Sequence, residues 1–324
     1  MLQSRRRAAV ALAAVAVAWA GGLQAQAAVD PNVAPRAAAL ERSGERHMAI
    51  GLLGRYLATA PDDGRAWFQL GRFYLLDARD WHLQGHRGDP DGLLYLDFAA
   101  TAFDQAVRLS VDSGAIFRGL AELERHVVTI EDSGWRVGGA LRPAGDAPAM
   151  PSFIHELGAN LLNSCPAEGV LLLGTDLEAL SVWYDNLDLL ARRILPIRPD
   201  RYATDSVYRH RMAEAMGVDP SLPIRTALAG VAERRAICLS PTADTAAAPP
   251  MSWTPSRLAR VSRPVEPGPE ALSVTELLSA MRQGGSVWVG DVRGVYAGAA
   301  RYNALLCSSF LLVFGDAPPP ACRP

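Results

Sequence analysis

Large and small residues sit at fixed helical offsets around Gly71. Trp67, Leu70, Gly71 and Tyr74 form one set, and Ala99, Phe103 and Ala106 form a second. A chain patterned this way has few folding options. Small residues at 71, 99 and 106 let a neighbouring helix approach closely, and the large ones at 67, 74 and 103 fill the groove beside it. A single hairpin of two such helices cannot bury its apolar face alone, so adjacent hairpins must stack. Apolar residues recur three and four apart through residues 36–131, and turns rich in proline, aspartate and glycine separate the runs. The first part of the chain after its leader, residues 28–131, is therefore expected to be an all-helical array.

Trp67-Phe68-Gln69-Leu70-Gly71-Arg72-Phe73-Tyr74 fits W-x2-L-G-x2-Y, and Ala99-x3-Phe103-x2-Ala106 fits the helix that follows it. Pro61 and Ala49 stand where a preceding repeat would end one helix and need a small residue in another. Residues 36–131 thus resemble the tetratricopeptide-repeat family. That resemblance implies stacked helical hairpins and a surface that binds peptides or partner proteins. The hairpin departs from the family by an insertion from Asp80-Trp81-His82 to Gly92. The insertion carries Asp80, His82, His86, Asp89 and Asp91. His82 and His86 are four apart, a spacing that can ligate a metal on a helix. Gly85, Gly88 and Pro90 argue for a solvated loop instead.

Residues 132–151 are rich in glycine and proline and read as a linker. The periodicity then changes. Ser152–Asn163 is an apolar helix, and Gly169-Val170-Leu171-Leu172-Leu173-Gly174 is a short apolar run bounded by glycines, as in a strand buried on both faces. A helix over Leu177–Leu190, a strand over Arg193–Ile197, a helix over Thr204–Met216, a helix near Ile224–Glu233 and a strand over Ala236–Leu239 follow. This alternation predicts a three-layer α/β domain over 152–324 with a small, mostly parallel sheet. Beyond it, a proline-rich loop over 241–270 holds an extended stretch at Ser256–Val261. Val274–Met281 reads as a helix and Ser286–Val289 as a strand. From Val292 the apolar spacing fits either one helix to Val313 or a break near Asn303 followed by an extended segment.

The carboxyl ends of parallel strands form a ligand crevice in open α/β sheets. Asp176 and Glu178 follow the first strand, with Trp183 and Tyr184 one to two turns along the next helix. Two carboxylates so placed suit a divalent metal bridging a phosphate or sugar. They suit equally a helix start, with Asp176 as cap and Glu178 at the positive end of the helix dipole. Residues of about 150–215 also resemble the soluble C-terminal region of a large bacterial family of multi-pass membrane proteins, distantly related to protein O-mannosyltransferases. Its members carry an N-G-D-N-D-T-F-P-L-W-Y loop after a strand. Asp176, Trp183 and Tyr184 match that loop, and Glu178 replaces its second aspartate. Leu177, Ala179 and Ser181 replace polar or proline positions. The resemblance implies the fold and a ligand loop, with Asp176, Glu178, Trp183 and Tyr184 as ligand-binding candidates, not sugar transfer.

Arg5-Arg6-Arg7, the 13-residue apolar run Ala8–Ala20 and Ala25-Gln26-Ala27 are read as a signal peptide over residues 1–27, which places the protein in the periplasm or another extracytoplasmic space. The run is too short to span a bilayer, and no membrane span is expected after the signal is removed. An even cysteine count in an exported chain favours disulfides among Cys165, Cys238, Cys307 and Cys322. Cys307 with Cys322 is the nearest pair, and Cys238 is a candidate buried thiol. All 32 basic residues are arginine, which excludes a lysine nucleophile or P-loop lysine, and a net charge of −2 gives no basic footprint for nucleic acid. Arg192, Arg193, Arg198, Arg201, Arg209 and Arg211 cluster among acidic neighbours and read as a salt-bridged surface. His155 and His210 stand alone. Lipase-type serine elbows, dinucleotide glycine motifs and zinc-protease motifs do not occur. The sequence offers no catalytic residues, metal or cofactor, and points to an exported scaffold that binds a protein partner in the cell envelope. The rival is a carbohydrate- or phosphate-ligand protein or enzyme that uses the Asp176 loop.

Overall fold

A computed structural model describes residues 32–86, 90–138, 149–185, 191–263, 272–284 and 286–309. The expected signal peptide, most of the glycine- and proline-rich linker, Asp89, Cys322 and the proline-rich tail lie outside these residues. The chain is mostly helical, with a helical part followed by an α/β part. No described helix is long and apolar enough to cross a membrane.

The helical part contains α1 (Val33–Arg42), α2 (Arg46–Leu57), α3 (Gly64–Leu83), α4 (Pro90–Arg108) and α5 (Gly114–Ser133), with a short α6 (Trp135–Gly138) after them. The Asp63 carboxylate caps α3 by accepting from the Arg65 and Ala66 amides, both at 3.0 Å. The Trp67 indole donates to the Pro61 carbonyl at 2.8 Å, which ties the turn to the helix it precedes. Gly71 lies against Phe103, and a Cβ there would stand 2.7 Å from the ring. Ala99, Phe103 and Ala106 are fully buried, Leu70 is buried, and Tyr74 packs on Phe98 and Tyr95. The signature residues are thus packing residues. The insertion is less of a loop than its glycines suggest. The helix α3 runs on through Asp80, Trp81 and His82 to Leu83, and α4 begins at Pro90.

The α/β part contains α7 (Ser152–Asn163), β1 (Val170–Leu172), α8 (Asp176–Tyr184), β2 (Leu195–Ile197), α9 (Pro199–Thr204), α10 (Ser206–Met216), α11 (Ile224–Ala232), β3 (Ile237–Leu239), β4 (Thr254–Ser256), β5 (Ala259–Val261), α12 (Thr275–Gln283), α13 (Trp288–Ala300) and α14 (Ala304–Ser309). The strand order is β2-β1-β3-β5-β4. The strand β1 pairs parallel with both neighbours, Val170 lying opposite Leu195 and Ile237. The sheet is mixed, not mostly parallel, because residues 254–261 form an antiparallel hairpin, β4–β5, added at β3. The expected single stretch at Ser256–Val261 is broken by Arg257, which turns at φ 50°. Prolines mark both rims, Pro196 on β2 and Pro255 on β4, where a missing amide costs no ladder bond. The expected strand at Ser286–Val289 is instead the approach to α13. The chain breaks near Asn303, as one alternative had it, but continues as α14, not as an extended segment.

Strand alternation divides the core. Leu171, Leu173, Cys238 and Val261 face α7, α8, α13 and the helical part, while Val170, Leu172, Leu195, Ile197, Ile237 and Leu239 face α10 and α11. The helix α5 belongs to both sides. Its Ile116, Leu120 and Leu123 join the first cluster and its Val127 and Ile130 the second. The first core bridges the two parts, since Leu75 and Phe103 cluster with Leu157 and Tyr296. Val33, Ala37, Leu53 and Phe73 form a separate small core at the start of the array. A Cys165–Cys238 disulfide, with the Cα atoms 5.8 Å apart, joins the end of α7 to β3. Cys238 is therefore not a free thiol. Cys307 is also disulfide-bonded.

Candidate functional site

Asp176 and Glu178 do not converge. Thr175, not Asp176, caps α8 through the Glu178 amide. Asp176 turns toward the helical part, where Oδ2 accepts from Arg79 at 2.9 Å and Oδ1 pairs with Arg198. Arg79 also donates to Glu124 of α5 at 2.7 Å, and Arg201 closes on both oxygens of Glu124. Two carboxylates and three guanidinium groups thus join α3, α5, α8 and α9. Burial by itself would raise the Asp176 carboxyl, but Arg79 and Arg198 outweigh it and bring it down to about 2. Arg201 and Arg79 likewise hold Glu124 below the ordinary carboxylate range against its burial. The basic cluster is therefore not all surface, because Arg198 and Arg201 point inward.

Glu178 is fully buried at the other side of β1. Its Oε2 accepts from the Gly174 amide at 2.9 Å and from the Ser240 and Thr242 hydroxyls at 2.6 Å each. The crevice between the ends of β1 and β3 is filled by this carboxylate. A Cβ on Gly174 would meet the Thr242 carbonyl at 2.2 Å, which shows how closely the two strand ends approach. A metal held jointly by Asp176 and Glu178 does not fit this arrangement.

A small cavity of about 50 Å³ lies at the ends of β1 and β2, under α5. Leu123, Val127, Ile130, Leu173, Ile197 and Met212 give it an apolar wall, and Asp176, Arg198 and Arg201 stand at its polar side. Two buried side chains in the wall, His126 and Trp183, pack with ring centroids 5.0 Å apart. His126 Nδ1 and Trp183 Nε1 have no hydrogen-bond partner among the described residues. Burial brings His126 down to about 4, so its ring is neutral at pH 7. Tyr184 packs edge-on against His155, and burial pushes its phenol up to about 12. Trp183 thus reaches the cavity, whereas Tyr184 is not among its lining residues.

No family model, curated protein or solved structure matches the chain.

The second titratable cluster is His82, Glu131 and Asp205. His82 Nε2 lies 2.9 Å from Glu131 Oε2 and 3.2 Å from Asp205 Oδ2. Burial opposes charge on His82, but the two carboxylates push it up to about 9. His82 is therefore not in a solvated loop. His86 does not join it and stacks on Trp81 at 4.3 Å. Arg79, Glu124, His126 and Glu131 are residues that sequence reasoning missed, and His82 was paired there with His86 and not with Glu131 and Asp205. A signal existed: Arg79 and His82 are three apart on α3, and Glu124 and Glu131 are two turns apart on an otherwise apolar α5 face.

Proposed function

We propose that the chain is an exported, non-catalytic scaffold with a tetratricopeptide-like array that binds a partner protein in the cell envelope. The observation that carries this reading is a contrast between two surfaces. At the strand ends, Asp176 is paired with two arginines and one oxygen of Glu178 already accepts from three internal donors. At the outer end of the array, α1 and α2 leave a wide groove of about 790 Å³, lined by Leu40, Met48, Leu52, Arg36, His47 and Arg55. No acidic residue lines it among the described residues, and Met48 is 60% exposed. Apolar floor and basic rim fit an acidic, amphipathic segment of the partner. Export is supported by the leader pattern and is compatible with the disulfide.

Crosslinking and affinity capture from the native cell envelope test the reading. The unsubstituted chain should retain a stoichiometric protein partner that Met48→Asp with Arg55→Glu releases. Capture unchanged by that pair of substitutions, or no partner above background, refutes it.

The cavity under α5 supports a second reading, a small-ligand protein. Its apolar wall, neutral His126 and the Trp183 N–H suit a small uncharged molecule with a hydrogen-bonding group. A phosphate fits poorly, because each nearby guanidinium already has a carboxylate.

A further inference from the structure

The geometry points to a divalent transition-metal site at His82, Glu131 and Asp205, with Zn²⁺ as the fitting ion, joining the helical array to the α/β part. The three side chains come from separate elements: α3, the last turn of α5 and the cap of α10. They are far apart in sequence, yet one ligand atom from each lies within 4.8 Å of the others.

Spacing, charge and orientation carry the argument. Two ligands on a tetrahedral zinc ion, each about 2.1 Å away, stand about 3.4 Å from one another. His82 Nε2 is already 2.9 and 3.2 Å from its two carboxylate partners, and the three ligand atoms all lie within 4.8 Å of one another, so side-chain adjustment alone can admit the ion. The Glu131 and Asp205 side chains are each 1% exposed. A divalent ion beside a neutral imidazole brings two positive charges to two buried carboxylates.

Asp205 is also prepositioned. Its Oδ1 accepts from the Val207 and Tyr208 amides at 3.0 and 3.1 Å, which fixes the carboxylate and leaves Oδ2 directed at His82. Such support for a ligand by fixed outer hydrogen bonds is common at metal sites. Arg211 holds the end of α5 in place by donating to the Glu131 and Asp132 carbonyls. One imidazole with two carboxylates favours zinc and its neighbours over Ca²⁺ or Mg²⁺, which take all-oxygen sites.

The test is titration of the untagged full chain with Zn²⁺, read by calorimetry and by nitrogen-15 NMR of the histidine rings. One Zn²⁺ should bind per chain, and one of the six imidazoles should show a metal-shifted Nε2. Glu131→Gln and Asp205→Asn should each weaken binding at least tenfold, and Asp205→Asn retains an oxygen for the α10 cap. His82→Ala should abolish binding, while His86→Ala should leave it unchanged. The ring signal in the unsubstituted chain decides the matter even if a variant fails to fold. Absence of binding, a shifted ring that is not His82, or binding that survives all three ligand substitutions overturns the proposal and leaves an ion-paired histidine only.

Discussion

Glu178→Ala removes an acceptor that serves three donors at once. The Gly174 amide, the Ser240 hydroxyl and the Thr242 hydroxyl all point at one buried carboxylate oxygen. Each hydrogen bond to a charged group is worth about 1.5–3 kcal/mol, and a buried donor left without a partner costs about 1–3 kcal/mol. The two hydroxyls can rotate toward other acceptors, and the amide keeps a longer contact, 3.3 Å, to the Ser240 hydroxyl oxygen. Counting all three donors in part gives a loss of about 2–4 kcal/mol. Glu178→Gln keeps an acceptor oxygen of the same reach and should lose only about 1 kcal/mol. Urea unfolding followed by far-ultraviolet circular dichroism, with the disulfides intact, measures both. A ligand-binding carboxylate behaves in the opposite sense, since its removal commonly leaves stability unchanged or higher. An alanine variant as stable as the parent would therefore refute the clamp and return Glu178 to the list of ligand candidates.

Three further outcomes follow from the same structure. Gly71→Ala puts a methyl against a fully buried Phe103 ring and should cost about 1–3 kcal/mol in urea unfolding, while Gly54→Ala, with open space around it, should not destabilise. Replacing both Cys165 and Cys238 with alanine opens a loop closed across 73 residues, for which loop entropy predicts a loss of roughly 4 kcal/mol; no change in the unfolding midpoint would contradict it. His126 is depressed to about 4 in the folded chain, so its protonation favours the unfolded state. Its contribution is intact above the unfolded value of about 6.5 and should be lost, by up to about 3 kcal/mol, as pH falls from 6.5 to 4. His126→Gln should flatten stability over that window, and an unchanged slope would count against the neutral buried ring.

What was legible in the sequence is what local pattern controls. The run Val170–Leu173 declared a strand buried on both faces because no polar residue interrupts it. Gly71 with Phe103 declared close helix packing because only a missing side chain admits the ring. The helix expected over Thr204–Met216 is found at Ser206–Met216, with only its start displaced. The residues that chose partners across long separations were not legible. Asp176 reads as a cap until Arg79, 97 positions away, takes its carboxylate. Glu178 reads as a first-turn acid until Ser240 and Thr242 arrive from the end of β3. Cys238 sits in an apolar run and looks like a core thiol, yet strand pairing brings it to Cys165. His82 precedes a stretch that glycine and proline assign to solvent by pattern, and only the packing of α3 against α5 and α10 buries it. The antiparallel hairpin was half visible, since a proline-bearing rim strand carries a weak extended signal.

The double membership of α5 has a consequence for dissecting the protein. A cut within residues 139–148 follows the most obvious seam in the sequence, but the cooperative unit does not end there. The fragment on one side would carry Val127 and Ile130 bare, and the fragment on the other would leave Leu172, Ile197 and Met212 without the cover they share with those residues. Each piece would expose a greasy strip suited to re-associating with the other. Co-expressed halves should therefore reassemble as a split pair, and the helix that joins two cores would become the latch of a complementation system.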